Sequence, residues 1–315
     1  MTLETIDLQH PGVFLELNRF PSLGPVFTKV LLLSLVKSQG RLNRNPAPRI
    51  TLFTRAIQPD PARITAFRHI CRYPAGSALL PMIYPETLFI GMLGKMIISP
   101  FFPVSPLGLI HIGQKVIQLR PIGQDEVLDA RCTLDDVAQT EKGIRMICRL
   151  EVMSGQERVW EGNAVFLSRA RITPGSEKPR PAPETDAMLP VTEILDVPQK
   201  TGLAYAAASG DYNPHHLYPF TAKLLGFRQP IAHGMWTLSR AISALEQTSP
   251  LFYPVRVDAA FKLPIYMPAR VTLGCEKKAG LKREDQIIDF EVRDQVRRLP
   301  HVIGTLISGY QAMVS

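Results

Sequence analysis

Four cysteines in 315 residues, Cys71, Cys132, Cys148 and Cys275, stand far apart with no CxxC pair among them. That scarcity excludes a disulfide-stapled scaffold and a cysteine-ligated zinc site, and it points to a reduced, cytoplasmic protein. Long apolar runs are also missing. The longest early one, residues 26–36, is broken by Thr28, Lys29 and Ser34, too short to span a bilayer. It is expected to form a helix that packs on the body or lies at an interface. The opening MTLETIDLQH lacks the basic-then-apolar pattern of a secretory signal. Finally, no basic run concentrates the charge of +8, which comes from 36 Lys+Arg against 28 Asp+Glu. Without a basic-aromatic stripe a nucleic-acid partner is excluded. The basic balance suits small or macromolecular anions instead.

What the chain does have is one dense stretch, residues 205–236, reading YAAASGDYNPHHLYPFTAKLLGFRQPIAHGMW. A small-residue helical run opens it, and Ser209-Gly210 stops that run. Asp211, Asn213 and His216 follow within six residues on a turn punctuated by Pro214. A short helix over 221–225, closed by Gly226, leads to Pro230-Ile231-Ala232-His233-Gly234 and a second helix. Asp and His together can hold and deprotonate a water, and can return the proton in the reverse direction. A helix N-terminus offers free amides and the positive end of a dipole to an oxyanion, and Gly234 leaves room for close approach. This set suits addition of water across a double bond conjugated to a carbonyl, or the reverse elimination.

The string S-G-D-x-N-P-x-H, followed by I-A-H-G-M, resembles the signature of the MaoC-like, R-specific enoyl-CoA hydratases and dehydratases. The resemblance implies an α+β hotdog fold, a curved antiparallel sheet wrapped around one central helix. It also implies that Asp211 and His216 activate water and that the Gly234 N–H holds the thioester oxygen, with Asn213 and Ser209 supporting the loop. His233 is expected to be structural, supporting the site beside Gly234. His215 replaces the family's usual aliphatic residue, and it either crowds the pocket or faces solvent. No metal is expected, since adjacent histidines tend to point apart and no further ligand spacing appears. No cofactor is needed either: CoA, or the phosphopantetheine arm of an acidic acyl carrier protein, arrives with the substrate. Acyl-CoA is the first expectation. A carrier-bound 3-hydroxyacyl dehydratase, a hotdog acyl-CoA thioesterase and a non-catalytic acyl-CoA-binding protein are the alternatives, and a homodimer is possible.

The rest of the chain divides into four parts. Residues 1–50 form an N-terminal extension. A strand over 49–56 leads into residues 51–170, which hold helices over 62–72 and from Pro85 to about 98, and four strands over 111–119, 127–134, 144–152 and 158–168. Residues 171–189 carry four prolines with charges, which makes 171–190 a linker. Residues 191–315 hold the dense stretch. The last part repeats the second: Pro230 matches Pro81 at an offset of 149, Pro264 matches Pro121 at 143, and Gly304 matches Gly162 at 142. With the resemblance, the repeat implies a double hotdog whose first repeat is degenerate. Opposite Gly234 stands Pro85, opposite His233 stands Tyr84, and the SGDYNPHH loop has no counterpart there. Proline has no N–H to donate, so the first repeat is expected to be catalytically empty and to shape an acyl tunnel.

Overall fold

Strict alternation sets the sheet. Ile144, Met146, Cys148, Leu150 and Val152 are buried, while Arg145, Ile147, Arg149 and Glu151 between them are not, the pattern of a strand with one face on a core. The computed structural model describes residues 4–7, 12–17, 49–106, 108–169, 188–279 and 286–309. Their strands are β1 (Glu4–Asp7), β2 (Gly12–Glu16), β3 (Arg49–Ile57), β4 (Leu109–Gln118), β5 (Leu128–Thr140), β6 (Gly143–Ser154), β7 (Glu157–Arg169), β8 (Val191–Val197), β9 (Val255–Phe261), β10 (Ala269–Ala279), β11 (Gln286–Asp294) and β12 (Pro300–Ser308). They form one sheet in the order β1-β2-β3-β5-β6-β7-β4-β9-β12-β11-β10-β8.

That order contains the same five-strand unit twice. β3-β5-β6-β7-β4 and β8-β10-β11-β12-β9 have identical internal topology, joined where β4 pairs antiparallel with β9. Matching details recur downstream at the offsets of 143 and 142 read from the sequence, in Ile122 and Ile265 and in Gly162 and Gly304, whereas Leu80 is matched by Ala232 at 152, three more than the 149 read there. The Leu80 amide donates to Ile122 O (2.7 Å) and the Ala232 amide to Ile265 O (2.9 Å). Gly162 and Gly304 sit where neighbouring backbone passes so close that an added Cβ would lie 3.0 Å from Lys115 O and 2.6 Å from Asp258 O. The fold is a double hotdog.

The helices differ more between the halves. In the first, α1 (Pro61–Cys71) ends at Arg72 in the left-handed region, and the central helix is a 3-10 segment, Tyr84–Phe89, running into α2 (Ile90–Ile97). In the second, α3 (Thr201–Ser209) ends at left-handed Gly210; a 3-10 turn, Pro214–His216, and the short α4 (Pro219–Leu224) then lead to α5 (Gly234–Thr248). Met235, Leu238, Ala241, Ile242 and Leu245 of α5 are buried, as are Leu88, Met92 and Met96 in the first half. The expected helix from Pro85 thus opens as 3-10. The cause is local: the Tyr84 amide donates to Pro81 O (2.9 Å), the Glu86 amide donates to Ile83 O (3.2 Å), and Pro85 has no amide at all.

Two further differences lie near the N-terminus. The extension supplies strands the sequence did not reveal: β2 runs parallel to β3 and β1 antiparallel to β2. Four- and five-residue strands are too short for periodicity to distinguish. The helix expected over 26–36 and most of the proline-bearing stretch fall outside the described residues. Among those described, no helix is long and apolar enough to cross a membrane.

The halves are stitched by α1, which lies against α3 and α5. The Trp236 indole donates to Ile70 O (3.0 Å), Ser243 Oγ donates to Arg72 O (2.7 Å), and the Phe67 ring meets that of Tyr205 at 5.9 Å. The second half's helices therefore rest on the first half's core.

Candidate active site

The site forms where α3 ends and α5 begins. Glycine at 210 allows φ of +86°, and its amide closes on Ala206 O (2.8 Å), turning the chain sharply out of α3. Ser209 Oγ donates to Tyr205 O (2.8 Å) and accepts the Asp211 amide (3.1 Å). It braces the turn. Asp211 Oδ1 accepts the Asn213 amide (3.2 Å), and Asn213 O accepts the His216 amide (3.0 Å). Asn213 thus ties the loop through its backbone.

The two histidines are fixed in complementary tautomers. A carbonyl only accepts, so His216 Nδ1 carries the proton it donates to Ile231 O (2.7 Å), leaving Nε2 with a lone pair. By the same logic His233 Nε2–H donates to the carbonyl oxygen of Asp211 (2.9 Å). Its Nδ1 is buried without a partner among the described residues. The His216 and His233 rings stack at 3.6 Å, and Tyr205 packs on His233 at 4.8 Å. Burial lowers the pKa of both imidazoles, that of His233 to about 3; neither carries charge at neutral pH. Burial raises Asp211 to about 6, against a smaller opposing effect of the Asn213 amide.

Gly234 is the first residue of α5, behind His233 as N-cap. Thr237 is the first amide to close on the helix, donating to His233 O (3.1 Å), so the Gly234, Met235 and Trp236 amides have no intrahelical acceptor. The first half differs more deeply than its sequence indicated. Tyr84, not Pro85, occupies the helix-start position, and its amide is already spent on Pro81 O. That amide is not available to an oxyanion.

His215 lies beside His216, ring centroids 4.0 Å apart, with Phe227 at 5.2 Å on its other side. The expectation that the two rings point apart fails, because the single 3-10 turn cannot spread them and Phe227 closes the outer side. A carboxylate oxygen of Asp211 and one ring nitrogen each of His216 and His233 lie within 4.8 Å of one another, His233 Nε2 being 4.0 Å from Asp211 Oδ2. Their donor set would suit a divalent ion, but the stacked imidazoles lie at 27° to each other. Their in-plane lone pairs run side by side and do not converge on one point.

Residues 176–298 match the MaoC-like domain. The second half of this chain is a MaoC-like domain. Over a longer span, the chain is 28% identical to the 3-hydroxyacyl-thioester dehydratase X of Mycobacterium tuberculosis, covering 82% of this chain and 89% of that one. The (R)-specific enoyl-CoA hydratase of Aeromonas caviae is 38% identical over 27% of this chain and 63% of its own. The crystal structure of HtdX from M. tuberculosis superposes with a TM-score of 0.70 at 26% identity, over 81% of this chain and 99% of that one.

Three residues outside the signature also build the MaoC-like site. Arg63 of α1 donates Nε–H to Ala208 O (3.2 Å), so the first half caps the last turn of α3. Glu86 brings a fully buried carboxyl within electrostatic range of Asp211. Gly202 lets the His216 turn sit against α3: an added Cβ would lie 2.0 Å from His216 O. An isolated glycine inside a helical pattern is the one signal of this kind readable in sequence. Gly202→Ala is expected to displace His216, costing about 1–3 kcal/mol of stability and at least a tenfold loss of turnover. Thermal melts beside kinetics would check both.

Proposed function

We propose that this protein catalyses the reversible hydration of 2-enoyl thioesters to (R)-3-hydroxyacyl thioesters, with acyl-CoA as substrate. One observation carries the reading: Ile231 O holds the His216 proton on Nδ1, which leaves Nε2 a free base on a ring that has a nitrogen within 4.8 Å of the Asp211 carboxylate. In the hydration direction water bridges Asp211 and His216, its oxygen bonds to Cβ, and the π electrons move to the thioester oxygen. The Gly234 amide steadies that developing enolate. The proton taken from water then passes to Cα on the same face, and the C=O re-forms. Dehydration runs these steps backwards. The reaction consumes no oxidant or reductant, so it calls for no redox cofactor.

In this reading there is one active site per chain. The first half has no acid–base pair at the equivalent turn, where Arg72, Tyr73 and Pro74 stand, and it shapes the acyl pocket. The four unbonded cysteines agree with a reducing, cytoplasmic setting.

Purified protein incubated with short, medium and long trans-2-enoyl-CoA is expected to consume the conjugated thioester and yield the (R)-3-hydroxy product. Release of free CoA from saturated acyl-CoA, with the enoyl thioesters untouched, would sink the proposal in favour of a thioesterase.

A further inference from the structure

Four of the fifteen large apolar residues exposed among those described, Tyr212, Tyr218, Phe220 and Leu224, lie within thirteen positions of one another. All belong to the catalytic loop or to α4, just after the His216 turn. Phe220 is 76% and Leu224 65% exposed. Four residues apart on α4, they share one outward face. This face is well anchored: Thr221 Oγ1 donates to Pro214 O (2.6 Å), and the Phe227 amide donates to Ala222 O (2.9 Å). An apolar face held in place and left bare marks an interaction site.

Its charge says what kind. No acidic residue occurs between Asp211 and Glu246, whereas Lys223, between the apolar pair on α4, and Arg228, four residues beyond Leu224, are exposed. Arg228 is held with its guanidinium 4.2 Å from the Tyr266 ring centroid. A second copy is a poor occupant, since a two-fold contact would lay one basic face on another in a chain of charge +8. A negatively charged partner with an apolar stripe complements the face.

We infer that the exposed face of α4, Phe220 and Leu224 flanked by Lys223 and Arg228, docks an acidic helical carrier protein that presents the acyl thioester to the neighbouring site. The inference rests on the proposed hydratase reading and extends its substrates from CoA esters to carrier-bound ones. The thioester must enter beside Asp211, a few residues from the docking face, so a carrier seated there has only its arm to insert. Charge complementarity acts mainly on encounter, and the apolar pair on residence.

The test compares one trans-2-enoyl group, of the length best hydrated as its CoA ester, carried on CoA or on an acyl carrier protein. Wild type, Phe220→Ser/Leu224→Ser and Lys223→Glu/Arg228→Glu are assayed in full length. Both double variants are expected to lose at least tenfold in kcat/KM on the carrier substrate while staying within twofold of wild type on the CoA ester. The wild-type carrier rate should also fall with added salt. Equal effects on both substrates, or none on either, would overturn the inference and leave the hydratase reading intact. So would a change in sedimentation on mutating Phe220 and Leu224, which would reveal a self-association face, or loss of binding to anionic vesicles, which would reveal a membrane face. Wild type inert towards every enoyl thioester would remove both.

Discussion

Asp211→Asn is expected to lower kcat for enoyl-CoA hydration by about 10²–10⁴-fold, the usual contribution of a positioned acid–base group. The amide keeps the side chain's shape and its acceptor for the Asn213 N–H, so thermal stability should change little. The group must be ionised to take a proton, and burial raises its pKa to about 6. Wild-type kcat/KM should therefore climb with pH through about 6 and then level off. His216 is shifted the other way and stays neutral across that range; it adds no limb of its own. The residual activity of Asp211→Asn should lack the limb near 6. Adding His216→Ala should cost little more, because groups acting as a unit are not additive. Activity within a few-fold of wild type would remove Asp211 from the mechanism.

Glu86→Gln is expected to stabilise the protein in a pH-dependent way. The Glu86 carboxyl is 2% exposed, and its Oε2 has no partner among the described residues. Burial first, and the nearby Asp211 charge second, raise its pKa to about 8. Below an unfolded-state value of about 4.3 both states are protonated and there is no penalty. As pH rises the unfolded chain ionises while the folded one does not, so stability falls until about pH 8. At about 1.4 kcal/mol per pH unit, the loss by pH 7 amounts to roughly 3–4 kcal/mol. The variant's Tm should match wild type near pH 4 and exceed it at pH 7, with a flatter slope between. An unchanged slope would mean that the carboxyl is ionised or paired.

The residues that meet at the site were legible because they are close in sequence. A loop running from Ser209 to His216, and a helix starting at Gly234, need only local rules to read. The strands from β4 to β7 were legible within a few residues at most ends, since alternation persists over ten or more positions. The downstream part of the repeat was legible because Ile122 and Ile265, like Gly162 and Gly304, keep equivalent places at offsets of 143 and 142. The remainder depends on tertiary contact. Nothing local marks Arg63 as the residue that reaches Ala208, nor Glu86 as a neighbour of Asp211. Tyr84 displaced Pro85 from the helix-start position because the first half spends two more residues between Leu80 and its helix than the second spends after Ala232, a length difference that short sequence matches slide over.

The seam between β4 and β9 has a consequence for how the halves can change. Val116 faces Val257 and Lys115 faces Asp258 there, in a pairing between equivalent strands of two equivalent units. Two separate chains joined this way would have to be self-complementary and would come apart on dilution. Within one chain the local concentration of each half around the other does not depend on how much protein is present. The partners are then free to stop being copies. Asymmetry becomes heritable: one half can lose its donor amides and turn loop without any second active site being lost in the same mutation.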